Sequence, residues 1–399
     1  MKPVYVVGTF DTKSDELQYV AESIRSAGVG VVTVDVSSRP GDSRADVSNA
    51  DVALHHPHVP GFLGTVNDRG QAVGLMSTAL GEFLLSRTDI GGVIGIGGSG
   101  NTALVTGAMQ RLPVGLPKLM VSTMASGDIG PYVGPNDITM MYSVTDVAGI
   151  NRISRVVLGN AAHAIAGMAA HVIADCEEHK PTLGMTMFGV TTPCVTAVRS
   201  SLESRFDPLV FHATGTGGRS MEKLIDSGMI SHLIDVTTTE VADLIVGGIM
   251  SAGEDRMGAI IRRGIPYVGS VGALDMVNFA ARDTVPQQFV DRTLHIHNAN
   301  VTLMRTTASE NEAFGQWIGH RLNQMEGAVR FLLPEKGVSL LDSEGQPFFD
   351  PDADQALFRA IEDTVRQTLR RRVIRYPYNI NDPLFAQALI GAFREIHSV

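Results

Sequence analysis

The chain has 399 residues, of which 44% are hydrophobic and 19% are charged, as in an ordinary globular protein too long for one hydrophobic core. Its net charge of −10 argues against a nucleic-acid-binding surface, and no apolar run reaches the roughly 18 residues that a membrane helix needs. The sequence opens with a strand pattern and has two cysteines, so we expect a cytoplasmic protein of two domains without a disulfide framework.

Short apolar runs alternate with helical patterns through the first half of the chain. Strands are predicted at 3–7, 29–36, 90–96 and 117–121, and helices at 14–27, 67–86, 102–111 and 153–174. This alternation predicts an α/β fold with a mostly parallel, doubly wound sheet, as in Rossmann-like domains.

A charged segment that ends in proline, 177–181, separates this half from a second series of strands and helices. We therefore predict a nucleotide-binding domain over 1–178 and a second α/β domain over 179–399. Strands are expected at 182–188, 208–211, 232–236 and 266–269, and late helices at 353–371 and 382–396. The five arginines within 366–375 are interpreted as a solvated face at a helix end.

Two glycine-rich turns in the first half follow a strand and open a helix. At such a turn the backbone N–H groups and the helix dipole favour an anion, so two of them suggest one crevice around a nucleotide. The candidate nucleotide-binding residues on these turns are Gly8, Thr9, Asp11, Thr12 and Lys13 on the first, and Gly97, Gly98, Ser99, Gly100, Asn101 and Thr102 on the second. Ser122, Ser126 and Gly127 follow the next strand and suit the same crevice.

Each of these turns has a second interpretation. The first resembles a P-loop but lacks the glycine before Lys13, and Thr12 with Asp15 also fits a capped helix with a surface lysine. Asp35, at the end of the second strand, is either a ribose ligand or a turn aspartate. The second turn matches a dinucleotide fingerprint but is closer to the diphosphate loop of phosphofructokinase-like proteins, with Ser99 where that loop has a magnesium-binding aspartate. That departure argues against phosphoryl transfer at this turn but not against binding.

Polar residues also follow the predicted strands of the second half. A third glycine-rich turn, 212–220, contains Arg219, and further polar loops follow at 235–240, 247–256 and 269–278. Arginine offers a planar fork suited to a carboxylate or phosphate, so we expect Arg219, Arg256 and Arg305 to converge on a small anion. The candidate catalytic residues of this second crevice are His212, Glu240, Asp275, His297 and Arg305. The alternative is that the arginines bridge surface carboxylates.

His295 and His297 lie two residues apart and would share one face of a strand. With Glu240 or Asp275 they could ligate a metal or exchange protons, or they are ordinary polar residues of a half-buried strand. No third ligand is evident, so no metal site is predicted.

With these residues in view, the chain resembles the family of the N-terminal ATP-binding region of the tomato mosaic virus resistance protein and its bacterial homologues. The matching segments are 8–17, 34–37, 97–100, 121–127, 212–218, 235–239, 269–278 and 297–298. The resemblance implies two Rossmann-like subdomains, ATP binding in the first, with magnesium possible, and self-association as a homodimer or larger homo-oligomer.

Two functional hypotheses follow. The first is an enzyme of small-molecule metabolism that uses or senses ATP in the first domain and acts on a small anionic substrate in the second. The alternative is a nucleotide-binding interaction or regulatory module without turnover, which the lack of a recognisable phosphotransfer base favours. Neither hypothesis involves nucleic acid or a membrane.

Overall fold

The computed structural model describes residues 1–66, 68–173 and 180–397. The chain divides into two compact units, Met1–Asp175 and Cys176–Val399. Most of the segment 177–181, on which the predicted boundary falls, lies outside the described residues. No helix of the described part is both long and apolar enough to cross a bilayer.

The first unit is a five-stranded parallel sheet with helices on both faces. Its strands are β1 (Val4–Gly8), β2 (Val31–Asp35), β3 (Gly92–Gly97), β4 (Lys118–Ser122) and β5 (Thr139–Tyr142). Its helices are α1 (Phe10–Ser26), α2 (Asn49–Ala53), α3 (Arg69–Leu85), α4 (Ser99–Met109), α5 (Gly130–Val133) and α6 (Arg152–Ala170). The strand order is β2-β1-β3-β4-β5, so the chain adds β2 on one side of β1 and the later strands on the other side. The switch point lies between β1 and β3, and a sheet of this kind binds its ligand there.

Side chains of this sheet alternate between two apolar cores, as strands buried on both faces require. Tyr5 and Val7 pack with α3 and α4, whereas Val4 and Val6 pack with α1 and α6. Four small residues of α6 are buried in this second core. They are Ala161, Ala162, Ala166 and Ala169.

The second unit has a six-stranded parallel sheet of order β14-β13-β9-β8-β6-β7. Its strands are β6 (Thr182–Met187), β7 (Asp207–His212), β8 (His232–Thr237), β9 (Tyr267–Gly272), β13 (Val329–Pro334) and β14 (Arg371–Tyr376). Its helices are α7 (Thr192–Leu202), α8 (Thr216–Asp226), α9 (Glu240–Val246), α10 (Gly258–Arg263), α11 (Ala308–Gln324), α12 (Pro351–Thr364) and α13 (Pro383–His397). The order again reverses beside the first strand, β6, so the second unit repeats the topology of the first.

The second unit also contains a small antiparallel sheet of order β10-β12-β11. It consists of β10 (Met276–Phe279), β11 (Leu294–Asn298) and β12 (Val301–Arg305). Apolar side chains of β10 and β12, Met276 and Leu303, pack with Phe188 and Val190, which follow β6. The small sheet therefore lies over the carboxyl end of β6, where a ligand crevice was expected.

The α/β class with two Rossmann-like, mostly parallel units is confirmed. The helix predicted at 353–371 is wrong after Thr364, where α12 ends, and three of the five arginines, Arg371, Arg372 and Arg375, lie in edge strand β14. Strand β14 pairs with β13 from Val329 opposite Arg371 onward, so a tertiary partner overrides the helical tendency of arginine.

Candidate functional site

The β1–α1 turn lies at the switch point and is held by an internal carboxylate. Asp35 is buried, and its Oδ1 accepts hydrogen bonds from the backbone N–H of Phe10 at 3.1 Å and of Ser37 at 2.8 Å, and from the Ser37 hydroxyl at 2.5 Å. The first backbone donor of α1 is thus already bound to a negative group of the same chain. Asp35 therefore positions this turn through Oδ1, and a ribose contact through its other oxygen stays a prediction.

Lys13 lies at a kink in α1, where its φ and ψ of −130° and 23° leave the helical region. Its Nζ donates to the carbonyl oxygen of Val147, in the segment that follows β5. Three residues on, the buried carboxylate of Glu16 accepts the backbone N–H of Gly149 at 2.6 Å. Helix α1 thus holds the β5–α6 segment through two side chains, while Asp11 and Thr12 remain exposed to solvent.

The β3–α4 turn differs from the first in its backbone N–H groups, which have no carboxylate partner among the described residues. Gly98 is the N-terminal capping residue of α4, and within the described ranges no side chain accepts a hydrogen bond from the first turn of that helix, whereas Asp35 accepts one from the first residue of α1. Ser99 and Gly100 are exposed. A Cβ built on Gly98 would meet only the Thr123 hydroxyl, at 3.8 Å, and one built on Gly100 would meet nothing within 4 Å. The turn is therefore open to a ligand.

Buried polar side chains behind this turn fix its shape. The Asn101 amide nitrogen donates to the carbonyl of Ile96 at 2.6 Å, and the Thr102 hydroxyl lies 2.6 Å from the Ser122 hydroxyl. Ser122 also accepts the backbone N–H of Met124 at 2.9 Å. Thr102 and Ser122 are fully buried, so they support the turn from below, whereas Ser126 and Gly127 are exposed on the loop after β4.

The predicted nucleotide residues thus form two groups at the carboxyl edge of the first sheet. Val7 of β1 pairs with Gly95 of β3, so the two glycine-rich turns leave neighbouring strands. The exposed group could contact a ligand and comprises Asp11, Thr12, Ser99, Gly100, Ser126 and Gly127, with Thr9, Lys13 and Gly98 half-buried. The buried group holds the turns and comprises Gly8, Asp35, Gly97, Thr102 and Ser122, and the half-buried Asn101 belongs with it through its bond to Ile96.

The glycine-rich turn between β7 and α8 is filled by a carboxylate. Glu240 is buried, and its Oε1 accepts the backbone N–H of Gly215 at 2.7 Å and of Gly218 at 3.1 Å. A Cβ at Gly218 would lie 2.2 Å from the Glu240 carboxylate, so only glycine fits there. The expectation that this turn binds an external anion is therefore wrong for the described conformation, since Glu240 occupies its amides.

Arg256 lies fully buried among three carboxylates. Its guanidinium donates to Asp235 at 2.7 Å, to Glu240 at 2.9 Å and to Glu222 at 3.3 Å. Asp235 also accepts from the hydroxyls of Thr186 and Tyr267. Burial raises the pKa of Glu222 to about 7 and also raises that of Glu240. Desolvation opposes the charge of Arg256, but the three carboxylates keep its pKa well above the usual value.

Arg305 occupies a second buried cluster. Its guanidinium donates to Asp354 at 3.0 Å, to Asp342 at 3.3 Å and to the carbonyl of Phe348 at 2.7 Å. Asp275 lies in the same cluster, with one carboxylate oxygen bound to the Ser339 hydroxyl at 2.8 Å and the other buried without a partner. Burial raises the pKa of Asp275, Asp342 and Asp354, and the carboxylates raise one another's pKa further, so the cluster favours retention of a proton.

The predicted convergence on one anion pocket is therefore wrong for Arg256 and Arg305. Each guanidinium is buried and paired with carboxylates of the same chain, in separate clusters. Arg219 is exposed and its nearest polar partner is the Thr216 hydroxyl at 3.5 Å. Both clusters are buried. The alternative interpretation, in which the arginines bridge surface carboxylates, is therefore also wrong for Arg256 and Arg305.

The candidate histidines stand apart from these clusters. His212 is exposed at the end of β7, with its ring 5.4 Å from that of Phe188, and desolvation lowers its pKa. His295 and His297 do share strand β11; His295 lies 6.2 Å from the Phe348 ring, and His297 is exposed. Within the described ranges, no three His, Cys, Asp or Glu side chains are placed to hold a metal ion.

Sequence reasoning missed four carboxylates that shape these sites: Glu16, Glu222, Asp342 and Asp354. Glu222 and Asp354 lie on the buried sides of amphipathic helices, α8 and α12, where an acidic residue needs a partner. An acidic residue at an apolar position of a helix could therefore have indicated these two buried carboxylates. Asp342 lies in a loop, where no such pattern exists.

Comparison with known proteins gives matches over both units. Residues 2–174 match the N-terminal domain, and residues 180–397 the C-terminal domain, of the "Uncharacterised protein family (UPF0261)". A UPF0261 protein of Mesorhizobium japonicum is 58% identical over 99% of both chains. The ToMV resistance protein Tm-1 of Solanum lycopersicum is 46% identical over 98% of this chain, which spans 55% of the tomato protein. A Streptomyces glycosyltransferase structure aligns at 10% identity over 67% of this chain and 82% of that one, with a TM-score of 0.18 that supports no inference.

Proposed function

The chain belongs to the UPF0261 family, which includes bacterial relatives and matches part of the tomato resistance protein, and we propose that its first unit binds ATP. The observation that carries this proposal is the open β3–α4 turn. Of the three glycine-rich turns, those at α1 and α8 have an internal carboxylate on their amides, whereas no side chain in the described part of the chain accepts from the turn at α4.

Position and chemistry support phosphate binding at this turn. It lies beside the switch point of the sheet, and the unpaired N–H groups and dipole of an eleven-residue helix favour an anion there. Lys13 lies at the same edge and uses one of its three ammonium donors for Val147, which leaves donors for a phosphate. The sequence resemblance supplies the identity of the nucleotide as ATP, and magnesium would enter with its phosphates.

Titration calorimetry and thermal unfolding with ATP and magnesium test the site. Gly98→Asp adds a negative charge at the turn without a steric conflict, so we expect the nucleotide-dependent rise in melting temperature to be lost. Gly98→Ala adds the same Cβ without the charge and serves as the matched control, which should retain most of the rise. At a ligand concentration of 100 times Kd, the native state gains about 2.7 kcal/mol. An unmoved melting curve of the unchanged chain would rule the site out.

One observation bears on turnover. Glu240, Asp275 and Arg305 are buried and bound to partners of the same unit, so they cannot contact a substrate without a rearrangement. This favours the second candidate function, a nucleotide-binding regulatory or interaction module, over an enzyme acting on a small anionic metabolite. Incubation with ATP and a panel of phosphorylated and carboxylated metabolites, followed by mass spectrometry, separates the two. Any converted compound supports the enzyme hypothesis.

We also propose that the protein is a cytoplasmic homo-oligomer.

A further inference from the structure

The segment that joins α12 to β14 carries, together with β14, a positive charge that the chain does not neutralise. Arg366, Arg370 and Arg372 are exposed, and within the described residues the ion pairs of this stretch involve Arg375 instead. Leu369, which lies among them, is 93% exposed. Because the net charge of the chain is −10, this surface, the basic edge (366–375), is opposite in sign to the molecule as a whole. Clustered cations beside an exposed apolar side chain are typical of a surface that meets a partner.

Polar side chains hold the turn of the basic edge in one conformation. The Oδ1 of Asn323, on α11, accepts the backbone N–H of Arg366 at 2.8 Å. The Thr368 hydroxyl accepts the backbone N–H groups of Arg370 at 3.2 Å and of Arg371 at 3.0 Å. The turn is therefore already ordered in the free protein, so a partner that binds there loses little affinity to the ordering of this chain.

Arg371 braces the same turn from within. Its guanidinium donates to the carbonyl oxygen of Met325 at 2.8 Å and to those of Asn323 and Arg366 at 3.2 Å. Its Nε is buried without a partner among the described residues. Burial and the nearby charge of Arg366 lower the pKa of Arg371, so the turn holds two like charges without an internal counterion. A bound carboxylate would favour the charged form of both.

The outer side of β14 is covered over its first half and free beyond it. Pairing with β13 uses every second residue, which leaves Arg371, Val373 and Arg375 with outward backbone groups. The Arg371 carbonyl accepts the N–H of Thr368 at 2.8 Å, and the Val373 N–H donates to the side-chain oxygen of Gln367 at 3.1 Å. The Val373 carbonyl and the N–H and carbonyl of Arg375 have no partner in the described part of the chain. Free edge groups of this kind can accept an extended segment.

We propose that the basic edge binds an extended, acidic segment of a partner protein. Carboxylates of that segment pair with the exposed arginines, since each planar guanidinium can hold a carboxylate through two hydrogen bonds. An apolar side chain of the segment covers Leu369, and its backbone continues the sheet beyond β14. The free edge groups favour a protein over a lipid or a nucleic acid, because a peptide supplies N–H and C=O groups at the spacing of a strand.

The arginines also make the edge selective. Charges on an edge strand discourage pairing with neutral or basic strands, whereas an acidic strand neutralises them. A second copy of β14 would set arginine against arginine, which is unfavourable. The surface belongs to the second unit, so the proposal does not depend on nucleotide binding to the first.

Fluorescence anisotropy with the full chain tests the surface. The probe is a short fluorescein-labelled peptide of alternating glutamate and leucine, and we expect saturable binding with a Kd below about 1 mM at low salt. Binding should weaken as salt is added, because the contacts are between charges at the surface. The same peptide with glutamine in place of glutamate should not bind. A version N-methylated on alternate amides keeps the charges but lacks strand donors, and it should bind more weakly.

Two charge-matched variants locate the site. Arg366→Gln with Arg370→Gln should weaken binding of the glutamate peptide by about tenfold or more. Arg25→Gln with Arg69→Gln removes two exposed arginines of the first unit and should leave the affinity unchanged. Leu369→Ser should weaken binding without lowering the melting temperature, because this side chain is exposed in the free protein.

Three results would overturn the proposal. The first is a glutamate peptide that shows no saturable binding to the unchanged chain, and the second is equal affinity of the two double variants for it. The third comes from single-stranded RNA and phosphatidylserine vesicles used as alternative probes. If either binds the unchanged chain in preference to the peptide and loses affinity in the Arg366→Gln and Arg370→Gln variant, the surface recognises another class of partner.

Discussion

Glu240 accepts a hydrogen bond from the backbone N–H of Gly215 at 2.7 Å, so the third glycine-rich turn of the chain contains its own anion. Gly215 has a φ of +82°, and the turn folds back so that the amide of Gly218 reaches the same oxygen. A glycine-rich sequence after a strand therefore indicates an anion-binding turn in both units, but the anion can be internal. The neighbouring carboxylate decides which turn is free.

Replacing Glu240 by alanine should expose this anion site. The variant leaves two amides and the Nε of Arg256 without a partner, and we expect a loss of about 3–5 kcal/mol in the free energy of unfolding. Formate, which can occupy the vacated position, should restore part of the melting temperature. Glu254→Ala, an exposed residue of the adjoining loop, is the control and should not respond to formate. Equal melting temperatures for Glu240→Ala and the unchanged chain would contradict the role of this carboxylate.

Replacing Arg256 by methionine should give a pH-dependent loss of stability. The variant keeps three buried carboxylates without their cation, which costs about 3–5 kcal/mol when they are ionised. Without the guanidinium, protonation of these groups becomes easier, so the variant should recover stability as the pH falls from 8 to 5.5. Urea unfolding at the two pH values measures this. A loss that is the same at both would show that packing, not charge, makes Arg256 important.

Asp243 should make stability fall as the pH rises. Burial raises its pKa to about 7, above the usual value of 3.8, so the native state holds a proton that the unfolded state has released. The stabilisation from this proton is complete below about pH 4 and is lost as the pH rises to about 7, with a limiting slope of about 1.4 kcal/mol per pH unit. Asp243→Asn removes the titration, and the Asn278 amide can rotate to pair with it because its oxygen has no partner.

The comparison between Asp243→Asn and the unchanged chain is the measurement. The difference in unfolding free energy should shift in favour of the variant between pH 4 and 7 and then become constant. Parallel stability curves over this range would show that Asp243 is ionised in the native state throughout.

Asp35 should prove to be a positioning residue of the β1–α1 turn. Asp35→Asn keeps an oxygen for the N–H groups of Phe10 and Ser37, so we expect a modest loss of stability and an ATP affinity close to that of the unchanged chain. Asp35→Ala leaves both N–H groups unpaired and should cost about 1–3 kcal/mol. Calorimetric titration and urea unfolding of both variants check this. A large loss of affinity in Asp35→Asn at unchanged stability would instead indicate a contact with the ribose.

The periodicity of the sequence predicts most of the parallel framework because each strand is followed by a helix with its own apolar face. It misses the parallel strands β5, β13 and β14, and it does not predict the small antiparallel sheet. Strand β13 contains Arg330, which is buried and paired with Glu395, so its charge disguises a fully buried strand. Partners distant in sequence decide such positions.

The candidate sites are less predictable for the same reason. Proximity to strand ends correctly marks Asp35, Glu240 and Asp275 as residues at the carboxyl edges of the sheets. It does not reveal whether the carboxylate faces solvent or an amide of the neighbouring turn. That outcome depends on a rotamer and on backbone N–H groups more than twenty residues away, as with Glu240 and Gly215.

If the first unit binds a nucleotide as proposed, the two contacts from α1 to the β5–α6 segment should make that segment a reporter of occupancy. A phosphate that drew Lys13 away from Val147 would leave the Gly149 amide held by Glu16 and the Gly149 carbonyl held by Ser154. Hydrogen exchange of the Gly149 amide would then accelerate when nucleotide is added, although that amide belongs to neither glycine-rich turn. Saturation of the first unit could be followed in this way by mass spectrometry, without any assay of turnover.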